Sequence, residues 1–280
     1  MADWAEEQRL KQPAQVFQDD TVLLGPPSLT AEDFKTPRLR RCKFDLATIS
    51  WEARLGGGLD GYVWKVKFGE EGPFTLKLYW DAKPPADHPY YAPRRECQNA
   101  ALLQMMEAAV EQAAGESPIT VDLDAKTKAD VLANVLAFSN EGRREQQRQC
   151  AQRPKPISSI PRMKKCYGWL TVDSNLFRSV SWELRPPVVY SGRVKRSMSY
   201  DQEYIAIVSE FIEEGENDPE VVQKVLEFFW EVGFAHTLSP AARNWKSGVL
   251  TDLGDIIQPG DYDWKEQRHR PVKAHSVLRE

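Results

Sequence analysis

Alternating polar and apolar positions predict an antiparallel meander early in the chain. The first strand is expected over 49–55 and the third over 74–80, and in the second, over 62–68, valine or an aromatic residue alternates with lysine. Short turns join the three strands, and the turn between the first two is rich in glycine. The pattern therefore places a glycine turn at one end of a three-stranded sheet.

Helical spacing of apolar residues predicts three longer helices, over 94–114, 124–138 and 218–234. The last begins with Asp218 as its cap and Pro219 at its first helical position. Further strands are predicted over 166–172, 180–184 and 204–212, and a small hairpin over 245–251. Strands and helices that follow one another in this way predict an α+β fold.

The glycine turn has the pattern of a loop that covers nucleotide phosphates with its backbone amides. The motif G-x-G-x-x-G-x-V is met by Gly56, Gly58, Gly61 and Val63. Lys77 follows on the third predicted strand and would supply a positive charge beside the phosphates. Any glycine-rich hairpin can show this pattern, so the turn alone does not separate a nucleotide site from a structural turn.

A carboxylate near the start of the helix over 94–114 is the candidate partner of this lysine. Glu96 lies in the first turn of that helix, after Lys77 in the chain. It would either interact with the helix dipole alone or pair with Lys77 and direct the ammonium at phosphate oxygens. A strand lysine followed at this separation by a helix glutamate favours the pair.

The order of these features resembles the protein-kinase-like fold. A glycine turn, a strand lysine and a helix glutamate precede an apolar strand, a polar hinge and a helix, and then a loop with Asn244 and the sequence Asp-Leu-Gly from Asp252. The resemblance implies ATP and Mg²⁺ as candidate ligands, with the metal bound by Asn244 and Asp252. It also makes Lys77, Glu96 and Asp252 the candidate catalytic residues, and adds Lys77 and Glu96 to the candidate cofactor-binding residues.

Three stretches resemble a narrower family, at 55–63, 95–103 and 243–252. They are similar to a fungal kinase-like family named for a subunit of an inner-kinetochore complex, the FTA-type subunit of the Sim complex. This resemblance implies protein partners in a multisubunit assembly, and it extends over roughly residues 50 to 265.

The resemblance also implies a domain organisation. Residues 1–43 form an N-terminal extension, and 44–215 form an N-lobe with an antiparallel sheet and a helical insertion at about 116–158. A reduced, truncated C-lobe follows over 216–265, and 266–280 form a C-terminal tail.

Two departures from the kinase pattern argue against catalysis. The aspartate that accepts the substrate proton in kinases is replaced here by Ser239, and no carboxylate occurs between Glu231 and Asp252. No activation segment and no Ala-Pro-Glu follow Asp255. We therefore expect a pseudokinase that acts as an interaction or assembly module. The alternative is an atypical ATP–Mg-dependent phosphotransferase that acts on a small molecule or protein and uses another carboxylate, with Asp255 the nearest.

Nucleotide binding is a separate question with two open answers. Lys77, Glu96, Asn244 and Asp252 could hold ATP–Mg²⁺ through the lysine ammonium and hard oxygen ligands. Equally, Lys77 and Glu96 could form an ion pair inherited from an enzyme, with no ligand.

Composition and charge limit the binding partners and the cellular location that we expect for this protein. The formal net charge is −4, so direct nucleic-acid contact is not expected, although the basic clusters at 38–43, 143–144 and 193–196 keep DNA association as a third alternative. The four cysteines are widely spaced, which argues against a zinc site or a disulfide framework. No secretory signal and no apolar run of about 20 residues occurs. We expect no membrane segment, no secretion, and a location in the nucleus or cytoplasm.

Overall fold

The computed structural model describes residues 16–86, 88–114, 118–146, 152–238 and 241–279. Within these ranges the chain forms an α+β protein, as the sequence predicts. The α-helices are α1 (Ala31–Lys35), α2 (Ala92–Ala113), α3 (Lys128–Leu136), α4 (Asn140–Gln146), α5 (Pro219–Glu231) and α6 (Ala274–Val277). The strands are β1 (Gln18–Val22), β2 (Leu39–Arg41), β3 (Ile49–Gly57), β4 (Gly61–Phe68), β5 (Glu71–Tyr79), β6 (Ile119–Asp122), β7 (Pro154–Ile157), β8 (Cys166–Asp173), β9 (Val189–Ser191), β10 (Val194–Arg196), β11 (Glu203–Glu210), β12 (Ala235–His236), β13 (Trp245–Lys246), β14 (Val249–Leu250) and β15 (Ile256–Ile257).

The chain divides into two compact units. The first comprises the described residues up to Leu24, together with Leu39–Cys97 and Lys165–Phe211. The second comprises Gly25–Arg38, Gln98–Lys164 and the described residues from Ile212 onward. The division falls inside helix α2, and each unit contains a hydrophobic core of its own.

The first unit is built on a seven-stranded sheet in the order β1-β2-β8-β11-β5-β4-β3. The pairs β1–β2 and β2–β8 are parallel, and the other neighbours are antiparallel. The predicted meander is confirmed as β3-β4-β5, and the prediction of strands over 166–172 and 204–212 is confirmed by β8 and β11. Strands β1 and β2 were not predicted, because strands of five and three residues show too little alternation to be recognised.

Lys77 lies in the middle of this sheet. Strand β5 pairs with β4 on one side and β11 on the other, so Lys77 stands between Val63 and Ile207. The neighbouring row, Trp64, Leu76 and Val208, points to the opposite face because side chains alternate along a strand. All three of these side chains are fully buried, and they belong to the aromatic core of the unit. The core therefore occupies one face of the sheet and Lys77 the other.

The strand predicted over 180–184 is wrong, because the chain forms a short 3₁₀ helix there, Trp182–Leu184. The carbonyl of Leu184 accepts a hydrogen bond from the indole of Trp64, with 2.8 Å between donor and acceptor. Two prolines, Pro186 and Pro187, follow at once and cannot donate to a β-ladder. The segment consequently packs Leu184 against the aromatic core and leaves Trp182 exposed instead of joining the sheet.

The second unit contains all the helices except the beginning of α2. Helices α2 and α5 confirm two of the predicted helices. Helix α3 confirms the third over a shorter span, which begins after a capping box between Thr127 and Asp130. Helix α5 buries Val225 and Phe229, and α6 adds Val277 to the same core. Among the described residues, no helix is both long and apolar enough to cross a lipid bilayer.

Gly61 and Gly58 provide a matched test of the glycine turn. A Cβ at Gly61 would lie 2.4 Å from the carbonyl oxygen of Leu78, whereas one at Gly58 would meet nothing within 4 Å. We expect Gly61→Ala to destabilise the fold by about 2 kcal/mol, because the neighbouring strand must shift. Thermal unfolding should show a decrease of several degrees for Gly61→Ala and almost none for Gly58→Ala. Equal melting temperatures for the two variants would contradict the close approach of β4 and β5.

Candidate functional site

The structure brings Lys77 and Glu96 together within the first unit. The Lys77 Nζ and the Glu96 Oε1 are 2.6 Å apart, which is a short charge-assisted hydrogen bond. Their side chains are 13% and 6% exposed, so the pair is largely withdrawn from water. Strand β5 fixes the lysine and the first turns of α2 fix the glutamate. The expected contact is therefore formed, while its role in holding a nucleotide stays a prediction.

The surroundings of the pair are mostly apolar. Val63 and Ile207 flank Lys77 on the neighbouring strands, and the ring of Tyr79 lies 5.6 Å from its ammonium. Withdrawal of two charges from water costs free energy that their attraction barely repays, so such a pair adds little net stability compared with apolar residues. Because stability alone does not explain such a pair, it is the centre of the candidate site.

Internal hydrogen bonds hold the glycine turn. The amide of Gly58 donates to the carbonyl of Gly61 at 3.0 Å, which closes the turn between β3 and β4. Trp80, just after β5, donates its indole N–H to the Gly58 carbonyl at 2.9 Å and its amide to the Asp60 carbonyl at 3.1 Å. The Gly58 amide, one of those that a phosphate loop would offer to a ligand, is therefore engaged inside the protein.

Asp60 adds a negative charge to the same turn. Its Oδ2 accepts a hydrogen bond of 2.7 Å from the hydroxyl of Tyr90, and the guanidinium of Arg95 lies 4.7 Å from the Tyr90 ring. Burial and then the neighbouring Asp60 raise the pKa of Tyr90, so its hydroxyl keeps the proton that it donates. The carboxylate disfavours an anionic phosphate at this end of the turn. Sequence reasoning missed this contact, although Asp60 stands inside the glycine motif.

The other predicted site residues lie in the second unit. The Asn244 amide nitrogen donates to Oδ2 of Asp255 at 2.9 Å. Asp252 accepts a 2.9 Å hydrogen bond from the Gly254 amide and thereby caps the 3₁₀ helix Leu253–Asp255. The hydrogen bond of the predicted metal ligand Asn244 thus goes to Asp255. Within the described ranges, no three His, Cys, Asp or Glu side chains come together as a metal-binding group.

Backbone contacts hold the Asp-Leu-Gly turn and the asparagine loop. Asn99, fully buried on α2, donates its amide nitrogen to the carbonyls of Leu253 and Ile256 at 2.9 and 2.8 Å. Thr251 donates both its amide and its hydroxyl to the carbonyl of Asn244, at 2.7 and 2.9 Å. Sequence reasoning did not identify Asn99, whose only signal was a polar side chain on an otherwise apolar helix face. Ser239, the residue at the position of the kinase base, lies outside the described residues.

His236 is buried beside this loop. It belongs to β12, which pairs with β15, and its ring lies 6.1 Å from the ring of Phe229. Among the described residues, its Nε2 has no hydrogen-bond partner. Burial lowers the pKa of His236 to about 4, because the charged imidazolium would lose its hydration there. The imidazole is consequently neutral at physiological pH.

Comparison with known proteins returns neither a matching protein-family model nor a matching curated protein. The interpretation of the site therefore depends on its own residues and contacts.

Removal of one member of the Lys77–Glu96 pair should be costly. We expect Lys77→Met to destabilise the protein by about 3 kcal/mol or more, because it leaves the Glu96 carboxylate buried without its cation. Lys77→Met combined with Glu96→Leu should be less destabilising than the sum of the single changes. Urea unfolding of the four proteins in this double-mutant cycle measures the coupling.

The matched control is Lys67→Met, which breaks a more exposed ion pair with Glu52 at 2.8 Å. That change should cost less than about 1 kcal/mol. Additive effects of Lys77→Met and Glu96→Leu would contradict a coupled buried pair.

Protein stability should depend on pH through His236. Its pKa is about 4 when folded and about 6.5 when unfolded, so between these values the unfolded state binds more protons. The free energy of unfolding should therefore fall as the pH decreases from about 6.5 to 4, by about 3 kcal/mol from this residue. His236→Gln should remove that part of the slope in denaturant titrations at several pH values.

His275, which is exposed, provides the control, since His275→Gln should leave the slope unchanged. Burial also lowers the pKa of His269, so some slope remains in every variant and the difference from the wild type is the quantity to compare. An identical slope in His236→Gln would contradict burial of a neutral imidazole.

Proposed function

We propose that this protein is a catalytically impaired, protein-kinase-like protein that acts as an interaction module in a multisubunit assembly. The observation that carries the proposal is the buried contact between Lys77 and Glu96, 2.6 Å long, on a strand and a helix that follow a glycine turn. In protein kinases an ion pair of this kind must form to position the lysine at the nucleotide phosphates.

The order of elements supports the kinase-like part of the proposal. The glycine turn joins β3 and β4, Lys77 lies on β5, and β11 pairs with β5 on its other side. The chain then continues through an acidic stretch into α5, the hairpin β13–β14 and the Asp-Leu-Gly sequence at 252–254. A fold of this kind does not fix a function. The likeness of 55–63, 95–103 and 243–252 to the FTA-type family supports membership of an inner-kinetochore assembly in a fungal nucleus.

Two observations support the loss of catalysis. No carboxylate occurs between Glu231 and Asp252, so the chain has no aspartate where a kinase keeps its base. The Asp60 carboxylate lies on the glycine turn and disfavours phosphate there.

The residues that the kinase pattern assigns to ATP and Mg²⁺ would hold a nucleotide here. In the proposed arrangement Lys77 contacts phosphate oxygens, and Asn244 and Asp252 supply hard oxygen ligands for Mg²⁺. ATP–Mg²⁺ would supply the transferable phosphoryl group, and this chain would bind it without a residue to accept the substrate proton. The closed glycine turn and Asp60 predict weak binding.

One contact favours the alternative, an atypical ATP–Mg²⁺-dependent phosphotransferase that acts on a small molecule or protein. The hydrogen bond from Asn244 orients the carboxylate of Asp255, so that Asp255 could serve as a displaced base. In this alternative, Asp255→Asn and Asp252→Ala would each abolish the metal-dependent turnover.

Two assays on the purified chain test the proposal. One measures the melting temperature with nucleotide, and the other measures phosphoryl transfer from radiolabelled ATP. With Mg²⁺ and millimolar nucleotide, we expect a small rise in melting temperature that Lys77→Met removes, because ligand binding stabilises by mass action. We expect no transfer to protein or small-molecule acceptors above the level of Asp252→Ala. Metal-dependent turnover that is lost in Asp252→Ala and Asp255→Asn would overturn catalytic impairment, and the absence of any thermal shift would overturn nucleotide binding.

A separate experiment tests the proposed role in a multisubunit assembly. A fluorescent fusion expressed in fungal cells should form kinetochore foci that persist in Asp252→Ala, since the proposed role needs no catalysis. A diffuse signal in both proteins would contradict membership of the assembly.

A further inference from the structure

One segment of the first unit exposes an unusual share of large apolar side chains. Between residues 182 and 200 these are Trp182, Tyr190, Tyr200, Val188 and Val194, which are 73%, 69%, 56%, 50% and 44% exposed. They are five of the twelve large apolar side chains that are exposed in the described part of the chain. Single exposed apolar residues are ordinary, but a concentration in one segment is typical of an interaction surface. We call residues 182–200 the arm.

The centre of the arm is the hairpin β9–β10, whose register separates two faces. Tyr190 lies opposite Lys195, and Val189 lies opposite Arg196. These pairs point to opposite sides, because side chains alternate along each strand. Val189 packs against the core of the unit, and Arg196 Nη1 donates to Asp81 Oδ1 at 2.9 Å. Tyr190 and Lys195 consequently form the outward face.

The arm is positively charged although the whole chain is not. Residues 182–200 contain four basic residues and one acidic residue, Glu183, in a chain whose formal net charge is −4. Arg196 is paired with Asp81, and Arg185 donates its Nε to a backbone carbonyl at 2.9 Å. The side chains of Arg193 and Lys195 are exposed and make no ion pair or side-chain hydrogen bond within the residues that the structure describes. Two uncompensated cations thus lie on the hairpin that carries the exposed ring of Tyr190.

We propose that the outward face of this hairpin binds an extended acidic segment of a partner protein, in which apolar and acidic side chains alternate along one face. Directly opposite residues of a hairpin have Cβ atoms about 5 Å apart, and every second residue of an extended chain points the same way. An apolar residue of the partner would cover Tyr190 while the next side chain on that face pairs with Lys195 or Arg193. The inference rests on the proposed role as an interaction module and not on the nucleotide site.

The charge count favours an acidic peptide over a nucleic acid. Proteins that hold DNA through its phosphates typically make about 6–10 such contacts, whereas the hairpin offers two uncompensated cations. The net negative charge of the chain also opposes a polyanion as extensive as DNA. A short acidic segment needs only the two cations and gains the rest of its affinity from burial of Tyr190 and Val188.

A fluorescein-labelled peptide of repeated Leu-Ser-Glu-Ser tests the proposal, because Leu and Glu alternate along one face of this chain when it is extended. Fluorescence anisotropy with the full-length protein should show binding that is weakened about tenfold by Arg193→Glu with Lys195→Glu, and several-fold by Tyr190→Ala. The matched control is Lys126→Glu with Lys128→Glu, two exposed lysines of the second unit, which should change affinity less than about twofold. Melting temperatures confirm that each variant is folded.

Other ligands of the arm would give different results in these binding experiments. No binding of the peptide, equal weakening in the two double variants, or equal binding of repeated Leu-Ser-Gln-Ser would overturn the proposal. So would arm-dependent binding of single-stranded oligothymidine in place of the peptide, or self-association that Arg193→Glu with Lys195→Glu abolishes. Kinetochore foci without peptide binding would refute this inference alone, and peptide binding with a diffuse fusion protein would refute the proposed assembly role alone.

Discussion

The buried ion pair between Lys77 and Glu96 is the contact on which the organisation of the first unit depends. It joins the interior strand β5 to the first turns of α2 across 19 residues of chain, through a hydrogen bond of 2.6 Å. Such a pair is costly to bury and more costly to break, so the strand and the helix are held in one relative position. Its value lies in specificity of geometry more than in net stability.

The glycine turn uses its backbone amides differently from a phosphate-binding loop. A loop that covers phosphates leaves its amides free, but here the Gly58 amide bonds to the Gly61 carbonyl and Trp80 fastens the turn to the end of β5. The hydroxyl of Tyr90 then holds the Asp60 carboxylate in place. Rigidity and negative charge both oppose binding of a triphosphate. The polar groups of the turn thus maintain the fold.

Polar side chains of the second unit also form hydrogen bonds that stabilise the local structure. Asn99 and Asp252 bond to backbone groups of the Asp-Leu-Gly turn, and Asn244 bonds to Asp255. Groups that could bind a metal ion thereby stabilise local structure. The arm at 182–200 keeps exposed rings and two cations on the surface of the first unit. Proposed function and inferred docking surface are thus carried by different parts of the chain.

Local pattern by itself determined the elements and the candidate pair. Alternation over 62–68, the helical spacing after residue 94 and the cap at Asp218 each predict structure from neighbours only a few residues apart. The order of Lys77 and Glu96 along the chain was enough to expect their contact. Only the tertiary structure decided that Asn244 meets Asp255, that β1 and β2 join the sheet, and that Trp182–Leu184 forms a 3₁₀ helix bonded to Trp64. These depend on contacts between residues far apart in the chain, which packing selects and local sequence does not encode.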